Sequence, residues 1–399
     1  LLVAGRVADR FGRRKIFLLG LLLYGAAGIM AGSLPVIWVL ILARSLQGVA
    51  IAMLSPSGLA MSLNEFPPSR RAYALGVWGT IGALTGLCGS PIAAGMIELF
   101  NWQAIFILTG GFSLLILLAG FVVLSDEQEG NNQLPIDWVS AIIAVMAVGG
   151  LTLFLVQGQE WGFSSPVTLL CLCISIISTP LLARRNRTQR HPLFPPAIFS
   201  QRSFTIGAAG SALCQVGFFS IYFGLPLYMR EVWSWSPLKI GFALIPLNVV
   251  PLLTAAVAGK IVDRQGPRPM VIFGGVWSGV SFLIIGFFLM EAGYILFALG
   301  LLVSGLGAMA IGNNTTIATL LDIEDGLLAS ASSASYTARR LGSALGAVLT
   351  ASIVGNRLGS DFKDVYIWVW ILGAGAYLLG SLITYLYYPR RNEQELSNV

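Results

Sequence analysis

The amino-acid sequence predicts an all-α protein that crosses a membrane many times. Its 399 residues are 56% hydrophobic and only 11% charged, whereas about 25% of the residues in an average soluble domain are charged. The mean hydropathy is +0.80. The hydrophobic residues also form long uninterrupted runs, and a helix needs about 20 such residues to span a bilayer. Together these observations predict a polytopic helical membrane protein.

The same figures exclude several other classes. A disordered chain, a coiled coil or a disulfide scaffold would have a different composition. The net charge of +6 does not indicate nucleic-acid binding, because the basic residues lie in short loops between hydrophobic runs rather than along one polar face. All four cysteines lie within hydrophobic runs, and His191 is the single histidine. We therefore predict no disulfide and no metal site.

Hydrophobic runs that end at charged or turn residues predict twelve complete membrane spans. They lie at residues 16–32, 36–62, 72–97, 102–124, 137–159, 165–183, 203–229, 239–262, 269–290, 294–321, 328–355 and 365–388. Lysine and arginine accumulate in cytoplasmic loops. If the loop before the first of these spans is cytoplasmic, that side holds seventeen of the 24 Lys and Arg residues, and the other side holds four. This bias predicts a multi-pass protein with a cytoplasmic C-terminus.

Two of the predicted cytoplasmic loops share one pattern, G-x-x-x-D-R-x-G-x-R, at a distance of 254 residues. Its specified residues are Gly5, Asp9, Arg10, Gly12 and Arg14 in the first copy and Gly259, Asp263, Arg264, Gly266 and Arg268 in the second. Glycine permits a tight turn, the acid can accept bonds from a helix N-terminus, and the arginines can bond helix C-terminal carbonyls. The plainer alternative is two ordinary basic loops, and agreement at five positions argues against it.

The repeat predicts the organisation of the whole protein, because transporters are commonly built from internal repeats. Four spans follow each copy, and two further spans lie between the halves, at 137–159 and 165–183. Two spans precede the second copy but none precedes the first, so we expect fourteen spans in a longer protein, of which this chain lacks the first and nearly all of the second. The predicted domains are an N-terminal bundle at 1–124, a two-span linker region at 125–190 and a C-terminal bundle at 191–399.

The repeated loop resembles the signature of the major facilitator superfamily. Residues 40–48 are similar to its l-x-x-x-R-x-x-q-G motif, with Arg44, Gln47 and Gly48 in the specified positions. Residues 337–342 resemble the R-q-l-G stretch of the fourteen-span drug:proton antiporter subfamily, with Arg340 where the subfamily has Gln. Residues 137–162 resemble the seventh span of that subfamily. The resemblance covers the whole chain and implies the major facilitator fold of two pseudo-symmetric helical bundles.

A further motif resembles the antiporter motif G-x-x-x-G-P-x-x-G-G of the same superfamily. It occupies residues 86–95 and contains Gly86, Ser90, Pro91 and Gly95, with small residues at positions 90 and 94 in place of two glycines. Small residues let helices approach closely, and proline favours a bend. The bland alternative is ordinary membrane helix packing. The resemblance implies a gating seam that seals the transporter against leak.

The resemblance implies a secondary active transporter, most directly one that exports amphipathic drugs or other small organic compounds by alternating access. It also implies a monomer in a bacterial inner membrane, with a small-molecule substrate and the lipid bilayer as partners and the proton gradient as energy source. We expect no cofactor, and no enzyme, since no nucleophile, base and orienting group stand together. A metabolite or siderophore exporter, a solute importer and a transport-inactive sensor remain open.

Arginines inside the predicted spans are the first candidates for a transport site. Arg44 lies about eight residues inside its span, where a charge costs about 2.5–3.5 kcal/mol on insertion scales. The alternative is an arginine that extends to the interface. By resemblance Arg44 lines a central cavity, Gln47 lies one turn on, and Gly48 permits close packing. Arg339 and Arg340 point about 100° apart on a helix, and the family match favours Arg339 as the cavity residue.

Uncharged polar residues within the spans supply further candidates. Asn248 and Asn313 could line the cavity, although such residues more often join neighbouring helices. No Asp or Glu lies deep in any complete span. Proton coupling is therefore implied by the resemblance alone.

Overall fold

The structure is a computed structural model that describes residues 7–8, 11–64, 71–124, 137–189, 195–312, 314–323, 327–355 and 362–389. Throughout these ranges the regular elements are helices, which confirms the predicted all-α class. The first six are α1 (Arg13–Ser33), α2 (Ile37–Asn64), α3 (Arg71–Leu99), α4 (Trp102–Val123), α5 (Trp138–Trp161) and α6 (Pro166–Thr188). The next five are α7 (Pro196–Ser200), α8 (Arg202–Glu231), α9 (Pro237–Ala243), α10 (Ile245–Gln265) and α11 (Pro267–Ile284), which a π-helical turn continues through Ile285–Leu289. The last four are α12 (Tyr294–Ile311), α13 (Asn314–Leu320), α14 (Leu328–Gly355) and α15 (Phe362–Tyr387).

Each predicted span coincides with a long helix or with a pair of consecutive helices. By length and composition, ten helical stretches of the described chain can cross a membrane. Helix α3 contributes only the shorter apolar stretch Leu84–Leu99, and α14 is not among the ten. Helix α14 is less hydrophobic because its first half contains two arginines and several serines. The totals of twelve complete spans here and fourteen in the longer protein stay predictions.

Contacts divide the chain into two units, and each is described by itself. The first comprises residues 1–78, 88–136 and 236–241. In it α1 packs against both α2 and α4. The apolar cores of these contacts contain Leu18, Leu21 and Leu117 near one end of α1, and Ala27 and Ala31 near the other.

The second unit comprises residues 79–87, 137–235 and 242–399. Helix α11 packs against α12 and α15, and α8 packs against α13, α14 and α15. Helices α5 and α6, the two predicted linker spans, pack against each other, and α5 also contacts α14. The predicted division into two bundles and a separate linker region stays a prediction.

The sequence repeat extends from the loops into helix packing. Gly25 of α1 and Gly279 of α11 are separated by the same 254 residues as the two loops. A Cβ atom on Gly25 would lie 2.6 Å from the Leu114 side chain of α4 and 3.0 Å from the Gly110 carbonyl oxygen. A Cβ atom on Gly279 would lie 2.8 Å from the Leu378 side chain of α15. In both units a glycine at this register therefore allows the helices of the first and fourth spans after the loop to touch.

Candidate transport site and gating elements

The two signature loops adopt the tight turn that their glycines favour. Gly12 has a φ of +97° immediately before α1, and Gly266 has a φ of +76° between α10 and α11. An L-amino acid with a side chain rarely adopts such values, so glycine is the residue that fits. Gly5, Asp9 and Arg10 lie outside the described residues, as does the side chain of Asp263, while Gly259 lies within α10 and Arg264 is exposed.

The last arginine of each signature bonds a carbonyl at the end of another helix. Arg14 Nη2 donates to the Phe121 carbonyl oxygen of α4 at 3.3 Å, and Arg268 Nη2 donates to the Tyr385 carbonyl oxygen of α15 at 2.7 Å. Each acceptor lies two residues before the last residue of its helix. The last four carbonyls of a helix have no partner within it. Both signatures therefore tie the first span after the loop to the end of the fourth span.

Arg44 lies in α2, with an exposed side chain. Its Nη1 donates to Gln47 Oε1 at 3.3 Å, and its guanidinium carbon lies 4.3 Å from the centre of the Phe106 ring on α4. Gln47 is buried. No acidic side chain of the described residues pairs with Arg44. The guanidinium is thus held by a neutral amide and an aromatic face.

The expected role of Gly48 is wrong. We expected it to permit close helix packing, but no described atom lies within 4 Å of the position that its Cβ would occupy. Gly48 is exposed, because the helix face that contacts α1 contains Ala43, Gln47 and Ala50 instead.

Arg339 lies on the face of α14 that packs against α8. On the same face, a Cβ atom on Gly342 would collide with the Ala212 carbonyl of α8. Arg339 is half-buried and Nη1 donates to Thr316 Oγ1 of α13, while the guanidinium carbon lies 5.9 Å from the centre of the Tyr336 ring. Arg340 is exposed. The two neighbouring arginines thus have different environments, as their angular separation predicts.

Of the two asparagines predicted to line the cavity, the structure describes only Asn248. Asn313 lies outside the described residues. Asn248 Nδ2 donates to the Leu244 carbonyl oxygen at 3.4 Å, one turn earlier in its own helix. Its Oδ1 lies 3.2 Å from the position that a Cβ on Gly86 would occupy. Gly86 therefore leaves room for the amide of α10 beside α3.

The remaining antiporter-motif residues pack against the short helix α9. A Cβ atom on Gly241 of α9 would lie 2.9 Å from the Ser90 carbonyl oxygen, 3.1 Å from Pro91 Cα and 2.7 Å from Ala94 Cβ. A Cβ on Gly95 would lie 3.7 Å from the Leu238 side chain. Small residues on both helices allow this close approach, and they define a seam between α3 and α9.

Sequence reasoning missed a polar contact at the end of this seam. Glu98 Oε2 accepts a hydrogen bond from the Leu238 backbone N–H at 3.0 Å. Leu238 is in the first turn of α9, where N–H groups have no helical partner. In the sequence Glu98 is one acid near the end of a predicted span, and nothing there shows which helix begins beside it.

A second missed cluster joins the ends of α5 and α6. Asp137 caps α5, since Oδ1 accepts from the Ser140 N–H at 3.0 Å, and it pairs with Arg185 Nη2 at 3.0 Å. Burial raises the pKa of the Asp137 carboxyl, but hydrogen bonds from Arg185 and Ser140 outweigh it and lower the pKa to about 2. An aspartate immediately before a hydrophobic run is a helix-cap signal. That signal predicts the cap but not the arginine.

Long hydrophobic helices, a repeated loop tied in the same way in each unit, and arginines inside the helices define a polytopic membrane transporter. The chain belongs to the Major Facilitator Superfamily, whose family model matches residues 1–221 and 207–398. It is thus a multi-pass transmembrane transporter, as the loop signature predicted.

Curated relatives match most of the chain. The tetracenomycin C resistance and export protein of Streptomyces glaucescens is 26% identical over 366 residues, which cover 91% of this chain and 68% of that protein. The probable multidrug resistance protein EmrY of Escherichia coli (strain K12) is also 26% identical, over 89% of this chain and 70% of that protein. The puromycin resistance protein pur8 of Streptomyces alboniger is 30% identical, over 68% of this chain and 54% of that protein.

Solved structures support the fold. A crystal structure of a mutant of the peptide transporter POT in complex with sulfate superposes with a TM-score of 0.66 at 19% identity, over 96% of this chain and 83% of that one. A POT family transporter in complex with 5-aminolevulinic acid also gives a TM-score of 0.66, at 16% identity, over 97% of this chain and 85% of that one. At these identities the likeness concerns the fold alone.

Proposed function

We propose that this transporter exports amphipathic drugs or other small organic compounds from a bacterial cell, in exchange for protons. The observation that carries the transport cycle is the pair of helix ties: Arg14 to α4 and Arg268 to α15. Transporters of this kind alternate access by movement of one structural repeat against the other, and each repeat here contains the same tie. The class of substrate is supported by relatives whose names describe drug resistance and export.

The proposal includes an orientation and an energy source. The signature loops and the C-terminus lie in the cytoplasm, in accord with the distribution of lysine and arginine. The protein acts as a monomer in the inner membrane, without a cofactor or nucleic acid. We assign it no enzymatic activity, because its relatives are transporters. Protons that move down their gradient drive the export.

The ties give the signature loops a role in gating. Each arginine holds a helix end through a charge-assisted hydrogen bond to a carbonyl, which is stronger than a bond between neutral groups. A helix pair held in this way moves as one body when access changes. In this cycle the α3–α9 seam, where small residues meet closely, limits leak.

The experiment uses the full-length protein in inverted membrane vesicles. An imposed pH gradient, acidic inside the vesicle, should drive accumulation of a fluorescent amphipathic compound there, and collapse of the gradient should release it. Vesicles without the protein are the control. Accumulation that does not depend on the pH gradient would contradict proton coupling. Movement in the opposite direction would identify an importer, and no movement for any compound would favour a sensor.

A labelling experiment tests the orientation. Cysteines introduced at Gln189, after α6, and at Ser236, before α9, should react with an impermeant reagent from opposite sides, with Gln189 in the cytoplasm. The measurement compares intact cells with inverted vesicles. Labelling of both positions in intact cells would overturn the proposed topology.

A further inference from the structure

The Arg339 guanidinium has a neutral environment in the part of the chain that the structure describes. Its hydrogen-bond partner is the Thr316 hydroxyl, and the nearby ring is that of Tyr336. No described carboxylate pairs with it, whereas Arg185 at a helix end pairs with Asp137 at 3.0 Å. A guanidinium stays charged at any relevant pH. Among the described residues, Arg339 is therefore a fixed positive charge without a fixed counter-charge.

The guanidinium is also partly exposed. Arg339 is half-buried, and none of its nitrogen atoms is both buried and without a partner. The nitrogens that do not bond Thr316 therefore keep some exposed surface. Five N–H groups in a planar fork match the two oxygens of a carboxylate. One N–H group is engaged by Thr316, which fixes the orientation of the fork.

The energetics favour an anion at this position. A charge within a membrane span is costly unless it is paired, and an anionic ligand would supply the missing partner. The Thr316 hydroxyl bonds the guanidinium, and the Tyr336 ring near it bears a second hydroxyl. A cation would meet the opposite situation, because it would approach a positive charge that no described carboxylate neutralises.

We propose that Arg339, with Thr316 and Tyr336, forms a binding site for the carboxylate group of an anionic amphipathic substrate. This inference rests on the proposed export function and specifies its class of substrate. The substrate's carboxylate receives two parallel hydrogen bonds from the Arg339 fork, while its apolar part lies against the apolar surface of the spans. Among compounds of one scaffold, the acid therefore binds better than the neutral ester, and the amine binds worst.

The test measures binding to the purified full-length protein in lipid nanodiscs, by isothermal titration calorimetry. The ligands are 2-naphthylacetic acid, its methyl ester and 2-(2-naphthyl)ethylamine, which share an aromatic group and differ in charge. We expect the wild-type protein to bind the acid about tenfold more tightly than the ester, since a hydrogen bond to a charged group is stronger than a neutral one. Empty nanodiscs correct for partition into lipid.

Two substitutions of Arg339 and a neighbouring control locate the effect. Arg339→Gln should abolish the preference for the acid while leaving the affinity for the ester unchanged, which also shows that the protein is folded. Arg339→Lys should keep part of the preference, because it retains the charge without the fork. Arg340→Gln removes one positive charge from the neighbouring, exposed residue. This variant should keep most of the preference for the acid.

The outcomes separate this inference from the export function. Amine binding as tight as acid binding, or a preference that survives Arg339→Gln, would overturn the carboxylate site. Neither result depends on a proton gradient or on movement across a membrane. Conversely, a protein that prefers the acid yet fails to accumulate any compound in vesicles would retain the site and contradict the export proposal.

Discussion

The two halves of the chain agree at their signature loops and differ inside the membrane. At the loops, Arg14 and Arg268 bond carbonyls at equivalent ends of α4 and α15. Inside the spans, Arg44 and Arg339 have no charged counterpart in the other half. The residues that correspond to them at the repeat distance of 254 residues, Ala298 and Thr85, are uncharged. The contrast indicates that the repeat preserves the helix framework, while each half has its own polar chemistry.

The two arginines within the spans are also stabilised differently. Arg44 is exposed and bonds Gln47, which lies one turn away on its own helix. Arg339 is half-buried and bonds Thr316 on another helix. A local partner needs no tertiary contact, whereas a partner on another helix depends on packing. Substitutions in each half should therefore have different consequences.

The largest effect should follow from substitution of Arg44. Arg44→Ala removes the charge and the insertion cost together, so the full-length protein should insert at least as well yet lose coupled export by about tenfold or more. Arg44→Lys keeps the charge without the planar fork and should be intermediate. The measurement is pH-gradient-driven transport in vesicles, normalised to inserted protein. Wild-type transport by the Ala variant would show that Arg44 only extends to the interface.

The next effect concerns the framework that the two halves share. Gly25→Val and Gly279→Val should each destabilise the protein by about 1–3 kcal/mol, because a side chain would collide with the facing helix. Thermal unfolding of the purified protein measures this. Gly111→Val on α4 and Gly375→Val on α15 are matched controls, since no described atom lies within 4 Å of their Cβ positions. If only one of the two glycine variants lost stability, the two halves would not share this helix packing.

How far the sequence predicts the structure depends on whether a feature is local. The helices follow from hydrophobic runs, and the turns at Gly12 and Gly266 follow from the spacing of the repeat. The repeat also predicts that Arg14 and Arg268 bond a carbonyl at a helix end. It does not predict that the carbonyl belongs to the fourth span, because that depends on tertiary packing.

The missed features of the candidate sites have the same cause. Glu98 and Leu238 are 140 residues apart, and no periodicity connects them. The expectation for Gly48 was wrong because small residues occur on both packed and exposed helix faces. For Arg339 and Arg340, helix geometry predicted that only one would face inward, but Thr316 as the partner required the packing of α13 beside α14.

A smaller effect should follow from the acids of the signature. Asp9→Asn and Asp263→Asn should each slow transport several-fold while insertion and expression stay near normal, because each removes one charge beside the arginines of its loop. Initial rates in vesicles measure this, with the amount of protein determined by immunoblot. Equal slowing in both halves would extend the symmetry of the loops to function. Unchanged rates in both variants would remove the gating role of the acids.

The smallest effect should arise outside the repeat, at the Asp137–Arg185 pair of α5 and α6. Asp137→Asn keeps a helix-capping side chain but removes the charge, so it should lower stability by about 1 kcal/mol because the pair is partly exposed. The pKa of Asp137 is lowered from 3.8 to about 2, so the contribution of its charge is complete above the higher value and is lost as the pH falls toward the lower one. The difference in thermal midpoint between wild type and variant should therefore stay constant from pH 8 to about pH 5.

Arg185→Gln should produce a similar loss of stability, and the double variant should lose less than the sum of the two, because the residues are in contact. Transport should be unaffected by all three, since the pair lies in neither copy of the repeated framework, and a transport defect at normal stability would assign α5 and α6 to the moving parts.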